Sequence, residues 1–245
     1  MIEFLVLLFG LIIGSFLNAV VYRLRNKKSF LKGRSFCPKC KKSLSASDLI
    51  PVLSFIFLRG KCRYCKKKIS KQYPLVELGT GVVFLILYIK FGLTLEFFIY
   101  ALYSVFLILI FVYDLLYYLV LDVVSVPAII VGFIGSLVFG ISLTNLLIGG
   151  IIGLSFFLIQ FVISKGKWIG GGDLRLGLMC GFMVGWPKIL PLLVITYISG
   201  AIISVMLLAS KKKKWKDSVP LGIFLTLATL VVILFGDKII DWYTL

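Results

Sequence analysis

The chain has 245 residues, of which 60% are hydrophobic, and its mean hydropathy is +1.09. This composition excludes an ordinary soluble domain, since the apolar blocks are long enough to enter a bilayer. The formal net charge of +17 suits a nucleic-acid binder, unless the basic residues follow the rule that keeps positive charge on the cytoplasmic side of a membrane. The distribution of charge therefore decides between these classes.

Eight apolar blocks predict an all-α polytopic membrane protein with about eight transmembrane helices. They lie at residues 4–21, 75–89, 97–112, 123–139, 146–163, 174–184, 189–208 and 219–235. The first block is not a cleavable signal peptide, because its basic residues follow the apolar stretch and no small-x-small cleavage site ends it. These basic residues place the N-terminus outside the cell.

Eight spans from an outside N-terminus bring nearly all the basic residues to the cytoplasmic side, in clusters at 23–71, 165–175 and 211–216. Only Lys90, Lys188 and Lys238 fall outside. The charge therefore indicates a multi-pass protein of the cell membrane that attracts anionic lipid. Direct nucleic-acid binding is correspondingly disfavoured, and a membrane-tethered zinc-ribbon nucleic-acid binder remains only a minor alternative.

One long polar segment, 23–73, separates the first block from the rest, and no internal repeat stands out. It contains two C-x-x-C pairs, Cys37 with Cys40 and Cys62 with Cys65, separated by 21 residues. This spacing is typical of four-thiolate zinc sites, and four ligands leave no open position, so such an ion is structural. The alternative is that the four cysteines form two disulfides or remain as unbound thiols. A reducing cytoplasm disfavours the disulfides. The fifth cysteine, Cys180, lies in an apolar span and is most simply a packing residue.

Two acids carry the strongest indication of chemistry. Asp114 ends the third span and Asp173 opens the sixth, so the parity of the spans places both on the cytoplasmic side. Two nearby carboxyl groups cannot both ionise, so one keeps a proton while the other activates water, as in aspartic proteolysis. Gly170, Gly171 and Gly172 precede Asp173 and would let the backbone turn sharply and a substrate strand approach.

Each acid also has a simpler interpretation. Asp114 can be an interfacial anchor, and Asp173, Asp122 and Asp48 can be helix caps. Glu77 lies inside the second span, where it can pair with a basic residue or hold a polar substrate group. The chain contains no histidine, which excludes histidine-based triads and two-histidine zinc hydrolase sites. A serine–lysine site is not excluded, although no lysine lies within a span.

Taken together, these residues resemble the prepilin leader peptidase and N-methyltransferase family over nearly the whole chain. The resemblance rests on GSFLN at 14–18, YRL at 22–24, CPKC at 37–40, DLIPVLS at 48–54, RGKCRYC at 59–65, YPLVEL at 73–78, Asp114 to Asp122, and GGGD at 170–173. It implies a first transmembrane helix at 1–22, a cytoplasmic zinc-binding loop at 23–73, and a membrane-embedded aspartic protease core of about seven helices at 74–245.

The resemblance further implies that Asp114 and Asp173 are the catalytic aspartates, cutting after the glycine that ends a short basic leader. It implies prepilin-like substrates, in particular competence pseudopilin precursors of the Gram-positive late-competence branch. A second implied activity is N-methylation from S-adenosylmethionine, associated with the cysteine loop. Opposite charge suggests that Asp48, Glu77 or Asp122 holds the basic leader. The alternative outside enzymology is a membrane scaffold or channel component of a pilus, secretion or DNA-uptake machine, with the zinc loop as docking module.

Overall fold

The computed structural model of the protein describes residues 1–29, 33–211 and 219–244. Across these ranges the chain is helical and has no strand, apart from two isolated β-bridges that join Phe36 to Ser43 and Lys61 to Lys68. The predicted all-α fold is therefore confirmed. Residues 30–32 of the polar segment, and the basic cluster at 211–216 from position 212 onward, lie outside the described residues.

The helices follow the predicted apolar blocks one for one, with one short addition in the polar segment. They are α1 (Ile2–Arg25), α2 (Leu53–Phe57), α3 (Gln72–Phe91), α4 (Leu95–Tyr117), α5 (Asp122–Val138), α6 (Leu143–Ile163), α7 (Gly171–Val184), α8 (Ile189–Ala209) and α9 (Leu221–Thr244). Six of them, α1, α3, α4, α6, α8 and α9, are long and apolar enough to cross a membrane. The remaining predicted spans, α5 and α7, have 17 and 14 residues, fewer than the roughly 20 that a full crossing needs.

The chain divides by its contacts into two units, Met1–Ala101 and Leu102–Leu245. The first unit contains α1, the cysteine loop, α2, α3 and the start of α4. The second contains the rest of α4 and the helices from α5 to α9. Helix α3, which the sequence analysis groups with the core from residue 74, packs on α1 in the first unit.

Small residues let α1 and α3 approach closely in the first unit. A Cβ at Gly10 would lie 2.8 Å from the Cα of Gly81, and one at Gly14 would lie 2.7 Å from the Cα of Glu77. Gly10 and Gly14 form a G-x-x-x-G pattern, which brings helix backbones together in membranes, where apolar lipid provides no hydrophobic drive for association. This contact sets the position of Glu77 beside α1.

The second unit uses the same device between α6 and α7. Gly149 and Gly153 on α6 face the backbone of Gly181 and Gly177 on α7, so that any side chain at these positions would collide with a backbone carbonyl. Because these contacts lie along the length of α7, that helix is held in one register along α6. The position of the first turn of α7 is therefore set by glycine contacts with α6 that lie further along the same helix.

Buried hydrogen bonds tie the neighbouring helices to α7. The Tyr103 hydroxyl on α4 donates to the carbonyl of Gly132 on α5 at 2.9 Å, and the Ser136 hydroxyl on α5 donates to the carbonyl of Phe182 on α7 at 2.7 Å. The Thr229 hydroxyl of α9 lies 3.1 Å from the sulfur of Cys180 on α7. Cys180 is fully buried, in agreement with the predicted packing role.

Candidate active site and metal centre

Asp114 lies one turn before the end of α4, and only 5% of its surface is exposed. Its carboxylate accepts backbone N–H groups of Gly222 and Ile223, which belong to the first turn of α9. A helix N-terminus carries unpaired N–H groups and partial positive charge, so it stabilises an anion there. A Cβ at position 222 would lie 2.6 Å from Oδ2 of Asp114, so only glycine permits this contact.

Asp173 is the third residue of α7 and caps the start of its own helix. Its Oδ2 accepts the N–H of Gly170 at 2.9 Å, while its own N–H donates to the Gly170 carbonyl at 3.1 Å. The side chain is therefore fixed at the point where the GGGD segment enters α7. Asp173 lies within electrostatic range of Asp114, so the two predicted acids belong to one unit and are near enough to interact.

The three glycines before Asp173 differ in their surroundings, and the predicted sharp turn stays a prediction. None of them has a positive φ. Gly171 has open space where a Cβ would stand, whereas a Cβ at Gly172 would lie 2.7 Å from the Cβ of Val120. Gly172 therefore lets the loop after α4 lie directly against the start of α7. The open surroundings of Gly170 and Gly171 leave room for another chain to approach.

Asp122 begins α5 and forms an ion pair with Arg175, which lies in the first turn and a half of α7. The Nε of Arg175 is buried and has no hydrogen-bond partner. The pair joins the start of α5, which follows the 118–121 loop, to the beginning of α7, where Asp173 lies. The carboxylate of Asp122 is thus already partnered within the chain, in addition to its predicted role toward a substrate.

A polar pair that was not predicted from the sequence lies on α6 and α8. The hydroxyl of Tyr197 on α8 donates to Oε1 of Gln160 on α6 at 2.7 Å. Tyr197 also lies within electrostatic range of Asp173. A glutamine within an apolar helix is costly unless it is partnered or used, and that cost was the signal available in the sequence.

The predicted metal ligands form a compact cluster in the first unit. The sulfurs of Cys37, Cys40, Cys62 and Cys65 all lie within 4.8 Å of one another, and those of Cys37 and Cys65 are 3.9 Å apart. A tetrahedral ion with metal–sulfur bonds of about 2.3 Å would separate its sulfurs by about 3.8 Å. All five cysteines of the chain are free thiols, so the alternative of two disulfides does not occur in this structure.

The two C-x-x-C pairs are held by equivalent turns. The N–H of Cys37 donates to the Lys42 carbonyl, and the N–H of Cys62 donates to the Lys67 carbonyl, both at 2.9 Å. The β-bridges, Phe36 with Ser43 and Lys61 with Lys68, close both turns in the same way. The segment thus contains a short structural repeat that the sequence analysis missed, because only the two cysteines and the basic residues after them recur.

The first of these turns favours the thiolate form of Cys37, which is the form that binds a metal. Burial alone would raise the pKa of Cys37, but backbone N–H groups of Cys40 and Lys39 that face its sulfur lower the pKa to about 7. A thiol with that pKa is substantially ionised at neutral pH, and the thiolate is the species that binds metal. The backbone N–H of Lys67 lowers the pKa of Cys65, but burial and the neighbouring thiols raise it to about 11. The cluster therefore fits a metal ion by its geometry, with the thiolate form favoured at Cys37.

Asp48 serves the cysteine loop itself. Its Oδ2 accepts the hydroxyl of Ser45 at 2.7 Å and the backbone N–H of Ser45 at 3.1 Å, and its Oδ1 accepts Nε of Arg63 at 2.7 Å. Burial by itself would raise the pKa of Asp48, but the bonds from Ser45 and Arg63 outweigh it and hold the pKa below its usual value. Both oxygens are thus engaged within the loop.

Glu77 lies on α3 in the first unit and is 7% exposed. Its Oε2 accepts the backbone N–H of Val52 at 2.7 Å, and the hydroxyl of Ser15 on α1 is a second partner. Val52 has a φ of +60°, which is unusual for a β-branched residue and needs support from its surroundings. Glu77 supplies that support and also lines a cavity between α1, α3 and the loop.

Comparisons with known proteins match both units. Residues 8–91 match the family model described as "Bacterial Peptidase A24 N-terminal domain", and residues 101–205 match "Type IV leader peptidase family". The chain is similar to proteins named "Prepilin leader peptidase/N-methyltransferase" from Bacillus subtilis (30% identical, covering 96% of this chain and 95% of the relative), Legionella pneumophila (31%, 96% and 92%) and Pseudomonas aeruginosa (33%, 97% and 91%). No solved structure matches the chain significantly.

Proposed function

Because this chain belongs to the type IV leader peptidase family, we propose that it is a membrane aspartic endopeptidase that removes the leader of prepilin-like precursors and also N-methylates the new N-terminus. The relatives are named for both activities. The family membership favours this enzymatic interpretation over a scaffold or channel component. The observation that supports the proteolytic half is the electrostatic interaction of Asp114 with Asp173 within one unit.

Asp114 and Asp173 act as the general base and general acid of the cleavage. Two carboxyl groups that share a proton can polarise a water between them. One carboxylate takes a proton from the attacking water, while the protonated partner gives its proton to the scissile carbonyl oxygen. As the C–N bond breaks, the first carboxyl gives the proton that it took from water to the leaving amine, and a hydroxyl of the tetrahedral intermediate returns a proton to the partner, so no covalent acyl-enzyme forms. Asp114 is held by the N-terminus of α9 and Asp173 by its own N-cap contact, so both carboxylates are positioned by the fold before a substrate binds.

The substrate's apolar helix lies in the bilayer, and its basic leader remains near the cytoplasmic surface. In the proposed cleavage the enzyme cuts after the glycine that ends the leader, and the substrates are competence pseudopilin precursors. The open backbone at Gly170 and Gly171 gives an extended substrate segment room beside Asp173. Binding of the basic leader by Asp122, Asp48 or Glu77 stays a prediction, and for Asp122 it requires exchange of the Arg175 partner.

The metal that the four cysteines hold is proposed to be Zn²⁺. Four thiolates with this spacing favour zinc, and with four protein ligands no position stays open for a substrate. Five basic side chains flank the two pairs and offset the charge of the centre: Lys39, Lys41, Lys61, Arg63 and Lys66. The ion's proposed role is therefore to stabilise the loop.

The proposed orientation places the N-terminus outside, and the cysteine loop and both aspartates on the cytoplasmic side.

Helix α2 supports a contact between the loop and anionic lipid. Its residues Leu53, Ile56 and Phe57 are 51%, 61% and 80% exposed, and the basic residues Arg59 and Lys61 follow directly. An exposed apolar turn beside basic residues is suited to a membrane interface rich in anionic lipid.

The proteolytic proposal is tested with purified protein and a synthetic leader-containing pilin fragment, and masses of the products report cleavage and methylation together. We expect Asp114→Asn and Asp173→Asn each to abolish cleavage while metal content and methylation of a pre-cleaved fragment persist. Asp237→Asn is the matched control, because Asp237 is an exposed partner of Lys188, and it should cleave normally. Processing by either aspartate variant would remove that residue from the catalytic role.

A further inference from the structure

The first unit contains a cavity of about 630 Å³ between α1, α3 and the cysteine loop. Sites for small ligands usually have 300–1,000 Å³ and combine apolar walls with a few polar groups. Ile12 and Tyr22 both line the cavity, and they stand about 15 Å apart along the axis of α1. The cavity therefore extends from the cysteine loop along a large part of the helix.

The two ends of the cavity differ in character. At the loop end its walls include Lys39, Lys67 and Lys68, which give the opening positive charge, whereas the charge of Arg63 is offset by its ion pair with Asp48. At the other end lie Ile12 and Phe16, which are 57% and 51% exposed on α1. Because α1 is long and apolar enough to cross a membrane, this end faces the region where lipid and an apolar helix would be found.

Aromatic rings and one buried carboxylate line the space between these ends. Tyr22, Phe36, Phe55 and Tyr73 contribute the rings, and Glu77 contributes the carboxylate. The Oε2 atom of Glu77 is bound to the N–H of Val52, and a buried carboxylate in an apolar wall gains most from a cationic partner. Flat rings suit a heterocyclic base, and they also attract cations over their faces.

We propose that this cavity is the binding site for the methyl donor S-adenosylmethionine, with Glu77 facing its sulfonium group. The proposal rests on the methyltransferase half of the proposed function. The donor carries an aromatic base, a carboxylate and a sulfonium cation. The aromatic rings of the cavity suit the base, the basic opening suits the carboxylate, and Glu77 suits the sulfonium. The substrate amine, tethered to a membrane helix, reaches the donor from the end formed by Ile12 and Phe16.

When bound, the donor supplies a methyl group: the neutral amine nitrogen forms the new N–C bond with its lone pair, the sulfur keeps the electron pair of the broken S–C bond, and the proton released from nitrogen passes to water. The chain's own contribution is to hold the cation and to admit the amine. Glu77 faces the sulfonium cation, and electrostatic attraction at such a partly dry site is stronger than in water.

The test is direct binding by the full-length protein in detergent micelles, measured by equilibrium dialysis with radiolabelled S-adenosylmethionine and with S-adenosylhomocysteine, which has a neutral sulfur. Glu77→Gln should weaken binding of the sulfonium compound about 10-fold and leave binding of the neutral thioether within about twofold, because only the former depends on the carboxylate. Metal content and the thermal unfolding midpoint report whether this variant is folded.

A second variant tests the cavity without altering charge. Ala19 lines the cavity, so Ala19→Phe should fill it and abolish binding of both compounds. Ala46→Phe introduces the same side chain at an exposed position of the loop that does not line the cavity, and it should bind both compounds as the unaltered protein does.

Unaltered binding of S-adenosylmethionine by both Glu77→Gln and Ala19→Phe would overturn the assignment, and so would equal losses for the two compounds in a folded Glu77→Gln protein. In either case methylation and cleavage by the unaltered protein would show that the proposed function stands and that the donor binds elsewhere. Loss of both activities in the unaltered protein would instead count against the function.

Discussion

The carboxylate of Asp114 rests on Gly222, so closely that a Cβ at position 222 would lie 2.6 Å from its Oδ2 atom. These residues are far apart in the sequence and belong to α4 and α9. The contact lets the first turn of α9 present backbone N–H groups to an acid that is almost fully buried. The position of the Asp114 carboxylate therefore depends on the absence of a side chain at position 222.

We expect Gly222→Ala to lower kcat for leader cleavage about 100-fold, because the new methyl group displaces the Asp114 carboxylate and a shift of about 1 Å in a catalytic group can cost that much. Cleavage of the synthetic pilin fragment measures the effect. The control is Gly79→Ala on α3, where a Cβ meets no atom within 4 Å, and this variant should cleave normally. A normal kcat for Gly222→Ala would contradict the described position of Asp114.

Gly172→Ala should lower the thermal stability of the protein, whereas Gly171→Ala should not. A Cβ at 172 collides with Val120, while position 171 is open, and overpacking typically costs about 1–3 kcal/mol. The unfolding midpoint in detergent measures the difference. The double variant Gly172→Ala with Val120→Ala should recover most of the loss, and failure to recover it would argue against a steric cause.

The ion pair of Asp122 and Arg175 should act as a structural unit. We expect Asp122→Asn and Arg175→Gln to lower cleavage to a similar extent, with a change in stability of up to about 1 kcal/mol, since partly exposed ion pairs contribute little. KM and kcat for peptides with basic and neutral leaders separate this role from leader binding. A rise in KM for the basic leader that is confined to Asp122→Asn would support the predicted contact with the leader.

Metal removal should unfold the cysteine loop and leave the helices in place. Chelation, or Cys37→Ser, should raise the protease sensitivity of the loop and lower methyl transfer more than cleavage, because the thiolate cluster and the catalytic acids belong to different units and a thiolate cluster of this kind stabilises the fold around it. Metal analysis and limited proteolysis measure the two effects. Cys180→Ser should keep the full metal content, because Cys180 is a buried packing residue of the second unit and is not a member of the cluster.

Tyr197→Phe should lower kcat about tenfold with little change in KM. The substitution removes the hydroxyl that binds Gln160 at 2.7 Å and leaves that amide oxygen without its donor, a loss of about 1 kcal/mol or more in an apolar setting. Tyr88→Phe on α3, whose ring packs edge-on against Phe97, provides the control. Equal kinetics for both variants would mean that the pair has no part in positioning the site.

The cysteine cluster and the helices were predictable because both depend on residues that are near one another in sequence. Apolar runs predict helices wherever backbone hydrogen bonds must be satisfied in lipid. The C-x-x-C spacing alone brings two thiols to one turn, and the structure places all four within 4.8 Å. The GGGD segment and the acid at the end of α4 were also visible, as was the likeness to the peptidase family.

The sequence by itself determined the membrane class, the helical fold, the four thiol ligands and the identity of the two candidate acids. Only the tertiary structure decided which backbone groups hold Asp114, why position 172 must be glycine, that Asp122 pairs with Arg175, and that Glu77 faces a cavity. These features depend on distances between helices that are remote in the chain. Those distances follow from close packing of small residues along each helix, which local patterns do not encode.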